Sequence, residues 1–344
     1  MNTESGKGRL RIGVIGCGKI TVTRHAPEYA ASELCEIAGF FDYLPERAEA
    51  MAKEYGGRVY PTVEALLADD GIDAVSICTA NATHAALTVA ALQSGKHVLC
   101  EKPMATTLAE CEEMLSAARA AGRRLFVAHN QRLCAVHQRA KALLDEGAIG
   151  RPIAFKTCFG HSGPDNWSID AGTGNWFFDK SKSAFGAVAD LGIHKIDLMR
   201  FLLGSDIACV QAMLATLDKT YPDGTPVGVD DNATVLCRMK NGISGSVTVS
   251  WTYYADEEND TTLYGTDGKM HLSPKDECIT LYKKNGECER IAAPQGGSTG
   301  VIDTFLQAVT SGEPSVLDAE AIYPSMQAMM AAIRSSDEGR RIDL

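Results

Sequence analysis

Asp190 and His194 lie four residues apart in the segment GAVADLGIHK, whose other residues, apart from the final lysine, are apolar or glycine. If this segment is helical, the two side chains lie on one face of the helix and form an acid–imidazole pair. An imidazole, with a pKa near about 6.5, can accept and release protons near neutral pH. A capping aspartate followed by a packed core histidine would give the same pattern, so both interpretations stand at this point.

A glycine pair marks a second segment that could bind a ligand, GVIGCGKIT. Gly16 and Gly18 follow a β-rich run and precede a predicted helix. Glycines at such a strand-to-helix turn allow backbone N–H groups and the helix N-terminus to approach a pyrophosphate. Thr21 occupies the third small position, which loosens helix–strand packing slightly but leaves the phosphate-binding turn in place. We therefore predict dinucleotide binding at Gly16, Gly18, Lys19 and Ile20.

Asp42 ends the second predicted strand, within the segment GFFDYLPERA. An acidic side chain at that place can accept hydrogen bonds from both ribose hydroxyls of an adenosine and repels a 2′-phosphate. The sequence therefore favours NAD over NADP as the cofactor. An ordinary aspartate in a strand-end turn is the alternative interpretation, and the nearby Arg47 is expected one turn into the next helix.

The first 130 or so residues alternate short apolar runs with longer amphipathic runs, which is typical of a parallel sheet with crossover helices. Helices are expected to begin near Lys19, Pro45, Thr62, Thr83 and Thr106. The predicted strands are 9–16, 35–42, 57–60, 73–80, 96–101 and 124–129.

Beyond about residue 150, strand-like alternation is interrupted by the turn signals KNG and TDG, which favour antiparallel hairpins. We expect an α/β protein with an N-terminal doubly wound Rossmann domain at 1–130. A C-terminal α+β domain with an open, mostly antiparallel sheet is expected at 131–344, for substrate binding and oligomerisation. Its last two segments have helical periodicity and are expected to pack beside the first domain or to cover the sheet edge.

Composition argues against several functional classes. A net charge of −11 without a long Lys/Arg cluster argues against nucleic-acid and membrane surfaces, and favours a small-molecule partner. There is no apolar run of about 18 residues, and the polar N-terminus lacks the apolar core of a signal peptide, so we expect a cytoplasmic protein. The eleven cysteines and eight histidines are dispersed, which predicts free thiols in a reducing compartment and no metal site.

Four segments closely resemble the glucose-fructose oxidoreductase / inositol dehydrogenase (Gfo/Idh/MocA) family: CEKPMATT, DLGIHKID, ANATHAALTVAALQSGKHVLCEKPMA and ALLDEGAIGRP. The most specific elements are Glu-Lys-Pro at 101–103 and D-x-G-x-H-x-x-D at 190–197. The resemblance implies an NAD(P)-dependent dehydrogenase of sugars, cyclic polyols or sugar derivatives, assembled as a homodimer or homotetramer. Two places depart from the family: AFGA at 184–187, where members often have Gly-Gly-Gly, and Ala80, where a proline is common.

The resemblance gives the acid and the histidine chemical roles. Oxidising a secondary alcohol requires a base for the hydroxyl proton, and we expect His194 to accept it. Asp190 is expected to orient this imidazole or to bind a neighbouring hydroxyl, and Lys102 to stabilise the developing alkoxide. Asp197 is expected to be structural, and Trp176 to lie against the nicotinamide or the sugar unless it is a core tryptophan. The further cofactor contacts that the resemblance implies, each of which could also be a helix cap or turn residue, are Thr79, Asn81, His84 and Glu101.

Three functions are compatible with this sequence. The first is the sugar or polyol dehydrogenase, and the second is a glycoside-cleaving enzyme that uses NAD for transient oxidation of the ring. The third is a non-catalytic dinucleotide-binding sensor, which the presence of Lys102, Asp190 and His194 argues against. Net NADH formation with a free sugar would distinguish the first function from the second.

Overall fold

The structure, a computed structural model, describes residues 8–344; the predicted polar N-terminal tail lies largely in residues 1–7, outside the described residues. The chain divides into two compact units. The first ends at Ala128 and also includes Ser298–Ala321, whereas the second consists of His129–Gly297 and Ile322–Leu344. The predicted assignment of all residues after 130 to one substrate-binding and oligomerisation domain stays a prediction.

The first unit contains a parallel sheet in the order β3-β2-β1-β4-β5-β6. This is the doubly wound order, in which the chain reverses direction between β1 and β4 and leaves a crevice at their carboxyl ends. The Rossmann prediction is therefore confirmed. The strands are β1 (Leu10–Ile15), β2 (Cys35–Phe41), β3 (Arg58–Val59), β4 (Ala74–Ile77), β5 (His97–Cys100) and β6 (Leu125–Val127).

Crossover helices connect these strands, and local sequence explains where they begin and end. Thr107 and Glu110 form a capping box at the start of the longest of them, and Gly122 ends it in the left-handed conformation. The helices are a π-helical turn (Thr21–His25), α1 (Ala26–Ala31), α2 (Pro45–Tyr55), α3 (Val63–Leu67), a 3₁₀ turn (Asn81–Thr83), α4 (His84–Gln93) and α5 (Leu108–Ala121).

The second unit contains an open sheet in the order β14-β13-β12-β11-β7-β10-β9-β8-β15. All neighbouring strands are antiparallel except β7 and β10, so the predicted mostly antiparallel sheet is confirmed. The strands are β7 (Pro152–Gly160), β8 (Ile207–Ala215), β9 (Asn232–Met239), β10 (Ser244–Ser250), β11 (Thr261–Gly265), β12 (Gly268–Ser273), β13 (Cys278–Lys283), β14 (Cys288–Ala292) and β15 (Ile342–Asp343).

The remaining helices lie before β7, between β7 and β8, or between β14 and β15. The two segments with helical periodicity near the C-terminus form α10, which belongs to the first unit, and α11, which begins there. The helices are a 3₁₀ turn (Asn130–Leu133), α6 (Ala135–Asp145), α7 (Pro164–Trp167), a 3₁₀ turn (Trp176–Phe178), α8 (Lys180–Ser183), a π-helical turn (Val188–Gly192), α9 (Ile193–Leu203), α10 (Val301–Ser311) and α11 (Ala319–Glu338).

The two faces of the second sheet differ in composition. On the face covered by α6 and α9, a buried row crosses four strands through paired residues: Phe155, Leu263, Met270 and Leu281. On the open face the apolar Leu236 is 55% exposed, among polar residues such as Arg238. Helices therefore support one face, while the other presents a mixed apolar and polar surface.

Within residues 8–344, no helix combines the length and apolarity that crossing a membrane requires. All eleven cysteines are free thiols. Eight of them are buried, Cys134 and Cys158 are half-buried, and Cys288 is exposed.

Candidate functional site

The turn after β1 has the geometry of a phosphate-binding turn. Gly16 has a φ of +95°, and a Cβ there would lie 2.5 Å from the carbonyl oxygen of Cys78, so only glycine fits. A Cβ on Gly18 would meet no protein atom within 4 Å. Packing within the protein therefore does not require a glycine at position 18. A ligand that approaches the backbone closely would require one, because a side chain would occupy the same space.

Thr21, the departure from the usual third small residue, ties the helix start to this turn. Its buried Oγ1 donates to the carbonyl oxygen of Gly16 at 2.6 Å. Thr21 is also the first residue of the π-helical turn Thr21–His25, whereas periodicity predicts an ordinary α-helix here. Such π turns are frequent at functional sites. Just before it, Lys19 is exposed and Ile20 is half-buried.

Asp42 lies beside the same turn. Its Oδ2 accepts from the backbone N–H of Cys17 at 2.6 Å, and its Oδ1 accepts from that of Leu44 at 2.8 Å. Each carboxylate oxygen keeps a second lone pair that can accept from a ribose hydroxyl. Arg47 lies in the first turn of α2. Burial and, after it, the charge of Asp42 raise the pKa of the nearby Cys17 thiol, and the charge of Arg47 opposes this rise. Both charges therefore act at this turn.

A buried hydrogen-bond chain positions Glu101. His25 Nε2 lies 2.9 Å from Glu101 Oε1, and His25 Nδ1 lies 3.1 Å from Ser76 Oγ, which also contacts the Tyr29 hydroxyl at 2.6 Å. Burial would raise the pKa of Glu101, but the hydrogen bond and charge of His25 outweigh it and lower that pKa. The second oxygen of Glu101 accepts from the backbone N–H of Lys102 at 3.1 Å.

His25 is not among the residues predicted from the sequence. Nothing in its local sequence marks it, because Glu101, its partner, lies 76 residues away in the chain. The only signal is its position on the helix that follows the glycine turn, on the side packed against the sheet. Since Glu101 contacts both His25 and the Lys102 backbone, His25 fixes the start of the Glu-Lys-Pro segment.

Thr79, Asn81 and His84 follow β4, at the carboxyl edge of the first sheet. Thr79 is half-buried and Asn81 is buried. The buried His84 ring contacts the carbonyl oxygens of Pro103 at 2.8 Å and Thr79 at 3.1 Å. His84 therefore joins the segment after β4 to the Glu-Lys-Pro turn after β5; its direct contact with a cofactor stays a prediction.

In the second unit, Asp190 and His194 lie on either side of the junction between a π-helical turn and α9. Both are 7% exposed. The π turn closes through a bond from the N–H of Ile193 to the carbonyl oxygen of Val188, so the segment is helical but is not a regular α-helix between positions 190 and 194. Asp190 Oδ2 accepts from the buried indole Nε1 of Trp251 at 3.0 Å, which fixes its orientation.

His194 has aromatic neighbours, and one of them, His129, belongs to a buried ionic network with Asp197 and Arg132. Its ring centroid lies 5.9 Å from that of His129 and 6.1 Å from that of Phe159. His129 Nδ1 lies 3.5 Å from Asp197, which accepts two bonds of 2.7 Å from Arg132. Burial would raise the pKa of Asp197, but the charges of His129 and Arg132 lower it. This buried pairing supports the structural role expected of Asp197.

Half-buried aromatic rings form a connected series that starts beside His194. Neighbouring ring centroids in the series lie 3.9 to 6.0 Å apart. Trp176 stacks on Phe177 with 25° between the ring planes, and it is not a fully buried core residue like Trp251. Aromatic faces of this kind line ligand sites and contact the apolar faces of ligands. In order, the series is Phe159, His161, Trp167, Phe177 and Trp176.

The described residues contain no cluster of three or more His, Cys, Asp or Glu side chains placed to hold a metal ion.

The segment before the π turn, AFGA at 184–187, carries backbone strain. Ala184 has a φ of +65°, a conformation that glycine adopts without strain and that residues with a Cβ rarely adopt.

Comparison with known proteins identifies the family of both units. The model of the oxidoreductase family with an NAD-binding Rossmann fold matches residues 10–129, and that of the GFO/IDH/MocA C-terminal domain matches 137–271. Glucose-6-phosphate 3-dehydrogenase of Bacillus subtilis is 31% identical over 70% of this chain and 67% of the relative. 1,5-Anhydro-D-fructose reductase of Ensifer adhaerens is 29% identical over 90% of this chain and 91% of the relative.

A solved structure agrees with this assignment. Levoglucosan dehydrogenase in complex with NADH and L-sorbose superposes with a TM-score of 0.87 at 26% identity, over 98% of this chain and 99% of that one. The chain therefore belongs to the GFO/IDH/MocA oxidoreductase family, with NAD as the cofactor of its Rossmann domain.

Proposed function

We propose that this protein is a dehydrogenase that transfers a hydride between a secondary alcohol of a sugar, cyclic polyol or sugar derivative and NAD. The observation that carries the proposal is the environment of His194. This imidazole lies beside half-buried aromatic rings, and Asp190, which precedes it closely in the chain, accepts a hydrogen bond from Trp251. The names of the relatives support the substrate class, because each acts on a carbohydrate derivative.

The proposal gives each polar group a task in alcohol oxidation. Bound NAD supplies the hydride acceptor. His194 accepts the hydroxyl proton, and Asp190 orients that imidazole or binds a neighbouring hydroxyl. Lys102 donates to the substrate oxygen and stabilises its developing negative charge. Trp176 contributes an aromatic face against the substrate.

For the cofactor, we propose contacts from the glycine turn and the strand ends of the first unit. The open space at Gly18 supports this, because an added Cβ there meets no protein atom. Asp42 is proposed to bind the adenosine ribose and to favour NAD over NADP. The proposed contacts are Gly16, Gly18, Lys19, Ile20, Asp42, Thr79, Asn81, His84 and Glu101.

A substrate screen tests the function. The purified protein is incubated with NAD and single inositols, hexoses, aminosugars or glycosides, and NADH absorbance and released aglycone are both recorded. Net NADH formation with a free sugar or polyol is the expected result. Aglycone release without net NADH would show a glycoside-cleaving enzyme, and NAD binding without turnover of any of these compounds would show a sensor; either outcome would replace the proposal.

We also propose that the protein is a homodimer or homotetramer that associates through the open face of the second sheet. Exposed apolar side chains on strands of that sheet support the proposal, because an association would remove them from water. They include Met213 at 72%, Leu236 at 55% and Tyr282 at 40% exposure.

A further inference from the structure

Asp230, just before β9, holds the backbone that leads into the π turn of Asp190. Its Oδ1 accepts from the N–H of Gly186 and its Oδ2 from that of Val188, each at 2.8 Å. Its own carbonyl oxygen accepts from the N–H of Ala187, also at 2.8 Å. One residue therefore binds three consecutive backbone N–H groups of a segment that precedes it by about 40 residues.

The approach between the two backbones is too close for any other residue at position 186. A Cβ on Gly186 would lie 1.8 Å from the carbonyl oxygen of Asp230, so a larger residue would force the segments apart. Burial raises the pKa of Asp230 to about 6, with a smaller contribution from the charge of Asp231, while the N–H bonds from Val188 and Gly186 oppose this rise. Both carboxylate oxygens accept backbone N–H bonds, as the ionised carboxylate does.

The adjacent Asp231 binds a different backbone segment, the one that follows β8. Its carboxylate accepts from the N–H groups of Leu217, Asp218 and Lys219, each at 2.8 Å. Its carbonyl oxygen accepts from the backbone N–H of Trp251 at 2.8 Å. Since the Trp251 indole donates to Asp190, Asp231 supports Asp190 through Trp251.

We infer that Asp230 is a positioning residue that sets the place of Asp190 and His194 through the backbone of 186–188, and that Asp231 assists it through Trp251. The inference rests on the proposed function, since it concerns the geometry of the acid and histidine proposed to act on the substrate. Neither aspartate is part of the D-x-G-x-H-x-x-D segment, and both act through backbone groups.

Asp230→Asn tests the inference with little change in side-chain volume. We call the bonds from Asp230 to the N–H groups of Gly186 and Val188 the clamp. The amide keeps one acceptor oxygen but turns an NH₂ group towards the other backbone N–H, so one of these two bonds is lost. We expect kcat to fall by about 10- to 100-fold, because a displacement of about 1 Å can cost about 10²-fold in rate, with the KM for NAD unchanged within about twofold. Asp231→Asn should lower kcat in the same way.

The matched control is Met270→Ala, in the buried row of the same sheet and away from the clamp. It should lower Tm without lowering kcat per folded molecule. Amide hydrogen exchange of the peptide 186–194 is a second readout, expected to accelerate in Asp230→Asn and not in Met270→Ala. This exchange needs no turnover, so it tests the clamp even if the proposed function fails in the substrate screen.

A folded Asp230→Asn variant with wild-type kcat and wild-type exchange at 186–194 would overturn the inference, as would an equal loss of kcat in Met270→Ala. If Asp230→Asn does not fold, Asp230→Glu takes its place, since it keeps the charge and both acceptors but moves them by one methylene. A reduced kcat with unchanged KM for NAD supports the inference there too, and a wild-type kcat contradicts it.

Discussion

At the scale of single residues, the site depends on partners that are distant in the chain. Trp251, which donates to Asp190, is 61 residues away from it, and His25 is 76 residues away from Glu101. Spacing and family resemblance predicted Asp190, His194 and Glu101 as candidates, because these signals are local in sequence. Their partners could not be predicted, since no local pattern relates side chains that only the fold brings together.

His194→Ala tests the proton acceptor. We expect turnover to fall by about 10² to 10⁴, the range that a general base contributes. NAD affinity should stay unchanged, because all the residues proposed to hold the dinucleotide belong to the first unit, whereas His194 belongs to the second. Steady-state kinetics at saturating NAD and substrate, with a direct NAD titration, measure both quantities.

His271→Ala is a control for losing an imidazole in the same unit, because His271 lies on β12 and contacts the Thr262 hydroxyl. Its turnover should match that of the wild type. A folded His194→Ala variant that keeps more than about a third of the turnover would remove His194 from the mechanism, because general-base catalysis contributes far more. A lower Tm with unchanged turnover per folded molecule would show a packing residue.

Asp42→Ser tests the choice of cofactor. The wild type should prefer NAD to NADP by at least about tenfold, the least expected where a carboxylate binds the ribose and repels a 2′-phosphate. Serine keeps one hydroxyl for the N–H groups of Cys17 and Leu44 but removes the charge, so the ratio should shrink, helped by Arg47 close by. Equal affinity of the wild type for the two dinucleotides in a direct titration would show that Asp42 is only a turn residue.

At the scale of elements, periodicity located the strands and helices well, and the strand orders of both sheets agree with the predicted fold. It could not reveal the π turns at Thr21–His25 and Val188–Gly192. A π turn inserts one residue without changing which residue types are apolar, so composition along the segment looks the same. The insertion becomes visible only in the backbone hydrogen bonds of the folded chain, such as the bond from the N–H of Ile193 to the carbonyl oxygen of Val188.

The two glycines of the turn after β1 should respond differently to alanine. Gly18→Ala should fold with a Tm near that of the wild type, because its Cβ meets no protein atom, yet bind NAD at least about tenfold more weakly, because that space is where the dinucleotide approaches. Gly16→Ala should lower Tm strongly, because its Cβ would lie 2.5 Å from a backbone oxygen at positive φ. Thermal unfolding and NAD titration separate the two effects; unchanged NAD affinity in Gly18→Ala would refute the proposed cofactor contact.

At the scale of the whole molecule, the chain returns to its first unit after β14, at Ser298–Ala321, and then re-enters the second unit, where β15 completes the second sheet. Thr299 donates from its backbone N–H and hydroxyl to Glu28, and Arg124 pairs with Asp318 at 2.7 Å. Phe305 of α10 packs against Phe126 of β6. Periodicity predicted the helix α10 and left two places for it, beside the first domain or over the sheet edge, because an apolar face alone does not show which core it enters; the first of these is where α10 lies.

The open face of the second sheet leads to a prediction about assembly. The wild type should sediment as a dimer or tetramer at micromolar concentration, and Leu236→Glu should shift it towards a monomer, since burying an unpaired charge in an interface is strongly unfavourable. Leu34→Glu is the matched control: it makes the same change at a 38% exposed leucine of the first unit and should leave sedimentation unchanged. A monomeric wild type would refute the oligomer, and an intact Leu236→Glu oligomer would show that the interface lies on another surface.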